Sequence, residues 1–209
     1  WLDGGDLRNG VAPKAWNANV KLNLPDYDVF TIDASAGVPV VVNKMASVGT
    51  TLYNIAVNPA NGKVYVSNTE ARNVNRFEGP GTIAESVNGH FVESRITVID
   101  GQGNVAPRHL NKHIGSYAAE LGTADEKAAA LATPLDMAVS ADGTRVVTLS
   151  WFSNTVQVWD GRTGQTLVEL RRDNEDQVGE GVVSSIAVSA DGSRIVTVSH
   201  DKTARVWDA

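Results

Sequence analysis

The chain has 209 residues, 42% hydrophobic and 20% charged, enough apolar side chains for one compact core and too many for a disordered tail. A formal net charge of −6 and an isoelectric point near 5.2 withhold the basic footprint that phosphate backbones require, so nucleic acid is not expected as a partner. No apolar run approaches the roughly 18 residues of a spanning helix and no charged-then-apolar leader opens the chain, so membrane insertion is not expected; the absence of cysteine excludes disulfides, c-type haem attachment and thiolate zinc sites within these residues.

The chain opens on Trp1 rather than Met, the mark of a processed product or a piece of something longer. VKLNL at 20–24 reads as an opening strand, followed by DVFTID at 28–33 and an outer strand VPVVV at 38–42. YNIAVNP at 53–59 runs through Asn61-Gly62 into KVYVS at 63–67; RITVID at 95–100 and a weak strand at 105–110 follow. SYAAELGTADEKAAALA at 116–132 is Ala-rich and interrupted by Gly122, which predicts a short helix between Thr123 and Ala132 that caps the scaffold. DMAVSADG at 136–143, RVVTLS at 145–150, TVQVWD at 155–160 and QTLVEL at 165–170 repeat the earlier order, and SIAVSADG at 185–192, RIVTVS at 194–199 and TARVWD at 203–208 begin it again. Each segment alternates apolar with polar residues, the period of a strand with one buried face. Asn61-Gly62, Asp142-Gly143 and Asp191-Gly192 supply residues that tolerate positive φ, as tight hairpins demand.

A four-stranded antiparallel unit therefore repeats, and the fold class is all-β: a β-propeller of four-stranded antiparallel blades, about three and a half in this chain. Residues 1–209 read as a single propeller domain or a portion of one. It comprises a partial first blade at 20–42, a second at 50–110 with an insertion at 68–94, a third at 135–170 after an insertion at 111–134, and a partial last blade at 184–209. Fourteen strands do not fill a four-bladed ring, so the economical expectation is a portion of a larger propeller, or an open arc whose edges other polypeptide covers.

SADGSRIVTVSHDKTARVWDA at 189–209, with Asp201 before its third strand and Trp207-Asp208 at its end, resembles a WD repeat. In that family a His, a Ser or Thr, the Trp and the loop Asp form a hydrogen-bonded network; here Glu180 follows Gly179 at the place of the His, and the preceding unit keeps Trp159-Asp160 but carries Ser153-Asn154 in the loop. NPANGKVYVSNTEARN at 58–73, RFEGPG at 76–81, ESRITVIDG at 93–101 and PRHLNKHI at 107–114 resemble bacterial YVTN-type propellers, a likeness covering roughly 20–160. Some members of that group are exported and joined to cytochrome or peroxidase-like modules. The resemblance implies a bacterial periplasmic or extracellular location, with the cytoplasm as the alternative.

Successive terminal aspartates Asp33, Asp100, Asp160 and Asp208 lie 67, 60 and 48 residues apart, against roughly 40 to 45 for a plain blade. The excess lies in the insertions 68–94 and 111–134. Because antiparallel strands reverse at each turn, both emerge on one face together with the charged link 171–183. Long loops on a rigid scaffold are the usual carriers of recognition, although they also shield edges. The partner-binding candidates on this face are Arg72, Arg76, Glu78, His90, Lys112, Arg171 and Arg172. Arginine recognises carboxylates by paired hydrogen bonds, but Arg72 and Arg76 are expected to hold their own loop through backbone carbonyls more than to contact a ligand. His109 and His113 have the spacing of some metal sites on helices, but they read as residues at a strand end that anchor the insertion. Trp159 and Trp207 are assigned to packing between blades. No catalytic residue and no cofactor is indicated. The favoured reading is a non-catalytic propeller scaffold that binds a protein or additional propeller blades through its insertion face; the alternative is an accessory or catalytic propeller of an exported redox or metal-dependent system.

Overall fold

The structure is a computed structural model that describes residues 26–35, 37–71, 92–115, 123–171 and 182–209. These hold four antiparallel sheets. The first pairs β1 (Val29–Asp33) with β2 (Val40–Met45); the second runs β3 (Thr51–Val57), β4 (Val64–Ala71), β5 (Val92–Ile99) and β6 (Val105–His109) in sequence order. After a short helix α1 (Ala124–Ala128), the third sheet holds β7 (Pro134–Val139), β8 (Arg145–Ser150), β9 (Thr155–Asp160) and β10 (Thr166–Arg171), and the fourth holds β11 (Val183–Val188), β12 (Arg194–Ser199) and β13 (Ala204–Asp208). The sequence-predicted strand at 20–24 lies outside the described residues.

Several bounds differ from the sequence reading for local reasons. Strand β2 begins after Pro39, which has no N–H to give to a ladder, and continues to Met45, which is buried against the next sheet. The β4–β5 ladder extends through Asn68–Arg95 to Ala71–Val92, so the connection between these strands is 72–91 rather than 68–94. In each first hairpin only the glycine takes positive φ (Gly62 +71°, Gly143 +70°, Gly192 +71°), while Asn61, Asp142 and Asp191 do not. The hairpin at Ser140 closes through Gly143 N–H to Ser140 O at 2.9 Å and Ser140 N–H to Arg145 O at 3.0 Å, and the hairpin at Ser189 repeats both bonds. A right-handed turn closed by one left-handed glycine thus replaces the two-residue turn that the dipeptides predicted.

Alternate residues of each strand face alternate blade boundaries. On β8, Val146 packs with Tyr65, Ile96, Leu131 and Met137 towards the second sheet, whereas Val147 and Leu149 pack with Ile186 and Ile195 towards the fourth. A third cluster, Val29, Met45 and Val48 with Val66 and Ile99, joins the first sheet to the second. Strand β3 lies beside β7 and β7 beside β11, so the first strands of the second, third and fourth sheets share the inner side. At the two flanks apolar side chains stay exposed: Phe30, Ile32, Val40 and Val42 on the first sheet, Val196, Val198 and Val206 on the fourth.

Candidate functional site

The registers decide where the connections emerge. The β4–β5 ladder ends at Ala71–Val92 and the β5–β6 ladder ends at Arg95–His109, at the same end of the sheet. In the third sheet Thr155 pairs with both Ser150 and Arg171, so the turn 151–154 and the chain beyond Arg171 also leave from one end. Hydrogen bonds tie these ends both within and between blades, the first and third of the following crossing a blade boundary. Thr133 N–H reaches Ser94 Oγ at 3.3 Å, Trp151 N–H donates to Thr133 O at 2.9 Å, Val183 N–H to Asn154 Oδ1 at 3.1 Å, and His200 N–H to Val182 O at 3.0 Å. The strand ends from which the connections leave therefore share one face, and the hairpins at Asn58, Ser140 and Ser189 share the other.

Three polar devices brace this face. Arg95 ion-pairs with Glu70 at 2.9 Å, donates to Asn68 Oδ1 at 3.3 Å and reaches Val48 O at 3.3 Å, a carbonyl that also accepts from Thr97 Oγ1 at 2.8 Å. The link between the first two sheets is pinned there, and a side chain at Gly49 would collide with Asn68. Asn111, buried, holds both backbone groups of Leu131 at 2.8 and 2.7 Å and closes the base of the second insertion. Thr123 and Glu126 form a capping box at the start of α1, and Glu126 Oε1 also accepts from Gly115 N–H at 2.9 Å. The helix is shorter than the predicted 123–132 because the chain turns Leu131 into the core at 2% exposure. It buries none of its own residues, so capping falls to Leu131 instead.

On the inner side, Asp136 of β7 joins three strands. Its carboxylate accepts from Asn54 Nδ2 on β3 at 2.9 Å, and from Ser185 Oγ and Ile186 N–H on β11, both at 2.9 Å. Further out, Trp159 Nε1 donates to Thr148 Oγ1 at 2.9 Å and Trp207 Nε1 to Thr197 Oγ1 at 3.0 Å; both rings pack against boundary cores. Asp201 accepts from Thr203 N–H at 2.9 Å and from its hydroxyl at 2.6 Å. Glu180 lies outside the described residues.

The opposite face carries a set of depressed carboxylates. Asp191 is held at about 2 by the Ser189 hydroxyl, then by the backbone and side chain of Ser193. Asp142 is lowered first by the Ser140 hydroxyl, then by Thr144; Asp160 by the backbone and then the side chain of Thr163; Asp33 by Ser35; and Asp100 by Asn104. All five close turns, and each shift has a local structural cause.

Of the candidates read from the sequence, Arg72, Arg76, Glu78, His90 and Arg172 lie outside the described residues, and Arg171 ends β10 opposite Thr155. Lys112 is exposed after β6. His109 ends β6, and His113 is exposed with Nε2 3.4 Å from Glu126 O. Among the described residues no three His, Asp or Glu side chains converge to hold a metal ion. Sequence reasoning missed Arg95, Asn68, Asn111 and Asp136. Their signal was a polar residue in or beside a strand where the repeat elsewhere is apolar or small. Among the described residues no helix is long and apolar enough to cross a membrane.

Comparison with known proteins gives the same architecture. The family model "WD domain, G-beta repeat" matches residues 176–208. Curated protein sequences give no match. Among solved structures, hydrazine synthase of Kuenenia stuttgartiensis superposes with a TM-score of 0.57 at 14% identity, over 81% of this chain and 48% of that one. U3-55K (TM-score 0.44, 15% identity, 76% and 36% coverage) and the WD40 β-propeller domain of Doa1 (0.45, 12%, 79% and 40%) are similar more distantly. The chain spans about half the length of the first and less of the others. At these identities the likeness concerns fold: the chain has a β-propeller fold with a WD40 repeat towards its C-terminal end.

Proposed function

We propose that this chain is a non-catalytic scaffold of the YVTN type, a portion of a larger β-propeller that binds a protein partner through the face carrying its long connections. The observation that carries the reading is the hydrogen-bonded alignment on one face of the strand ends that bear those connections, through Ser94, Thr133, Trp151, Asn154 and Val183. A rigid sheet edge with adaptable loops above it is the usual build of a recognition surface. Arg72, Arg76, Glu78, His90, Lys112, Arg171 and Arg172 are its proposed contacts, and carboxylate recognition by arginine is their chemistry. The exposed apolar flanks at Phe30 and Ile32 and at Val198 and Val206 support further blades beyond both ends. A periplasmic or extracellular location belongs to the same proposal and rests on the YVTN resemblance.

The test replaces 72–91 by a short Gly-Ser linker and compares partners captured from the source organism by intact and shortened protein. Loss of a specific partner with the sheet circular-dichroism signature retained supports the reading; an unchanged partner set sinks it. A native mass near 22.2 kDa together with a monodisperse monomer would contradict the additional blades. The second reading, an accessory or catalytic propeller of an exported redox or metal-dependent system, is supported by the same resemblance. Bound haem or stoichiometric metal in the intact native protein would favour it.

A further inference from the structure

At the outer rim, a cleft of about 610 Å³ opens between the second and third sheets and runs from the hairpin end to the connection end. Its volume lies within the range of small-molecule sites, roughly 300 to 1,000 Å³. The floor is apolar: Tyr65, Ile96, Leu110, Leu131 and Val146 are buried and the Trp159 ring is half-buried. The polar atoms of the two aromatic residues are already engaged, Tyr65 OH with Gly161 O at 2.8 Å and Trp159 Nε1 with Thr148, so these rings present apolar surface.

The rim is cationic in a protein whose net charge is −6. Lys63 and Arg162 stand at the hairpin end of the cleft, Arg108 and Lys112 at the connection end, and the side chains of these four make no ion pair among the described residues. The two carboxylates of the lining are engaged locally. Asp160 accepts from the backbone N–H of Arg162 at 2.9 Å and of Thr163 at 2.7 Å, and Glu169 accepts from Gln157 Nε2 at 2.8 Å. His109 and His113 complete the connection end. Strand β6 borders the cleft with its free edge, but Pro107 at its centre removes a donor, so a ligand is held by side chains and not by strand addition.

We propose that this cleft binds an elongated organic acid with an apolar body and a carboxylate at each end. The two pairs of cations stand towards opposite ends of β6, whose four rises from Val105 to His109 come to roughly 13 Å at about 3.3 Å per residue, a length that a long-chain dicarboxylate spans. The cleft shares Lys112 with the loop face, but the inference does not rest on the partner proposed for that face.

The probe is dodecanedioate, with dodecanediol as the uncharged control, added to the whole protein. Binding is read from the indole N–H resonances: Trp159 lines the cleft and is expected to shift, whereas Trp207, at the next boundary, is not. The double variant Arg108→Glu, Arg162→Glu changes only exposed side chains and is expected to weaken dodecanedioate by about tenfold or more while leaving the fold intact. Lys63→Gln with Lys112→Gln removes charge without reversal and serves as the second variant, with a smaller loss. Equal binding of the diol, an unchanged affinity in both variants, or no shift at Trp159 with millimolar dodecanedioate would each overturn the proposal.

Discussion

Asp136 offers the sharpest test of how the blades hold together. Its carboxylate is the shared acceptor for the Asn54 amide, the Ser185 hydroxyl and the Ile186 N–H, which belong to the inner strands on either side. Ser185 is exposed, so water replaces that bond when the carboxylate is removed. Ile186 is buried and Asn54 half-buried, and their donors lose a charged partner, each at a cost of about 1.5–2.5 kcal/mol. Asp136→Ala is therefore expected to destabilise by about 3–5 kcal/mol, a large share of the 5–15 kcal/mol that typically separates folded from unfolded domains. With a slope of about 2 kcal/mol per molar urea, the midpoint falls by roughly 1.5–2.5 M. Ser185→Ala should cost about 0.5 kcal/mol or less. A double-mutant cycle between Asp136→Ala and Asn54→Ala isolates the bond between adjacent blades. If Asp136→Ala shifted the midpoint no more than Ser185→Ala, the carboxylate would not be a tie between three strands and this reasoning would be wrong.

The glycines of the first hairpins separate conformation from packing. Gly62 and Gly143 have nearly equal positive φ, but a methyl group at Gly62 meets open space and one at Gly143 collides with the fully buried Asn58 and with Ala60. Gly62→Ala should cost about 1–2 kcal/mol. Gly143→Ala should cost at least about 1 kcal/mol more, because Asn58 must give up its bonds to Gly143 O and Ala60 N–H; equal midpoints in urea would refute the packing term. Acid offers a third comparison. Asp191 sits at about 2 against an ordinary 3.8, so its contribution is present above pH 4 and is lost as pH falls from there through about 2. Asp191→Ala should flatten the stability profile in that window, and a carboxyl resonance titrating near 4 in the folded protein would remove the effect.

The blade pattern was legible because alternation and turn chemistry are local. β4, β8 and β12 follow the same rhythm, and Gly62, Gly143 and Gly192 mark their hairpins. Repetition also revealed the common face of the connections, since strand reversal alone dictates it. Strand ends were less legible. Glu70 and Ala71 read as loop because the Arg95–Glu70 pair that extends their ladder joins residues 25 apart. Helix α1 was visible from alanine content, but its length was set by Asn111 capturing Leu131, a contact across 20 residues. Asp136 reads in the sequence only as the start of a strand, and nothing local distinguishes it from a turn aspartate such as Asp142. Its role exists only when β3 and β11 flank β7. The cationic cleft escaped for the same reason: Arg108 and Arg162 are 54 positions apart in sequence and come to line one cleft only across a blade boundary.

The central claim, that a partner is recognised by the face of long connections, is most directly tested by hydrogen exchange on the protein with and without its captured partner. The account expects slowed exchange in peptides covering 72–94, 110–133, 151–154 and 171–183, with the hairpins at Asn58, Ser140 and Ser189 unchanged. Protection confined to those hairpins, with the connections exchanging as in the free protein, would contradict it.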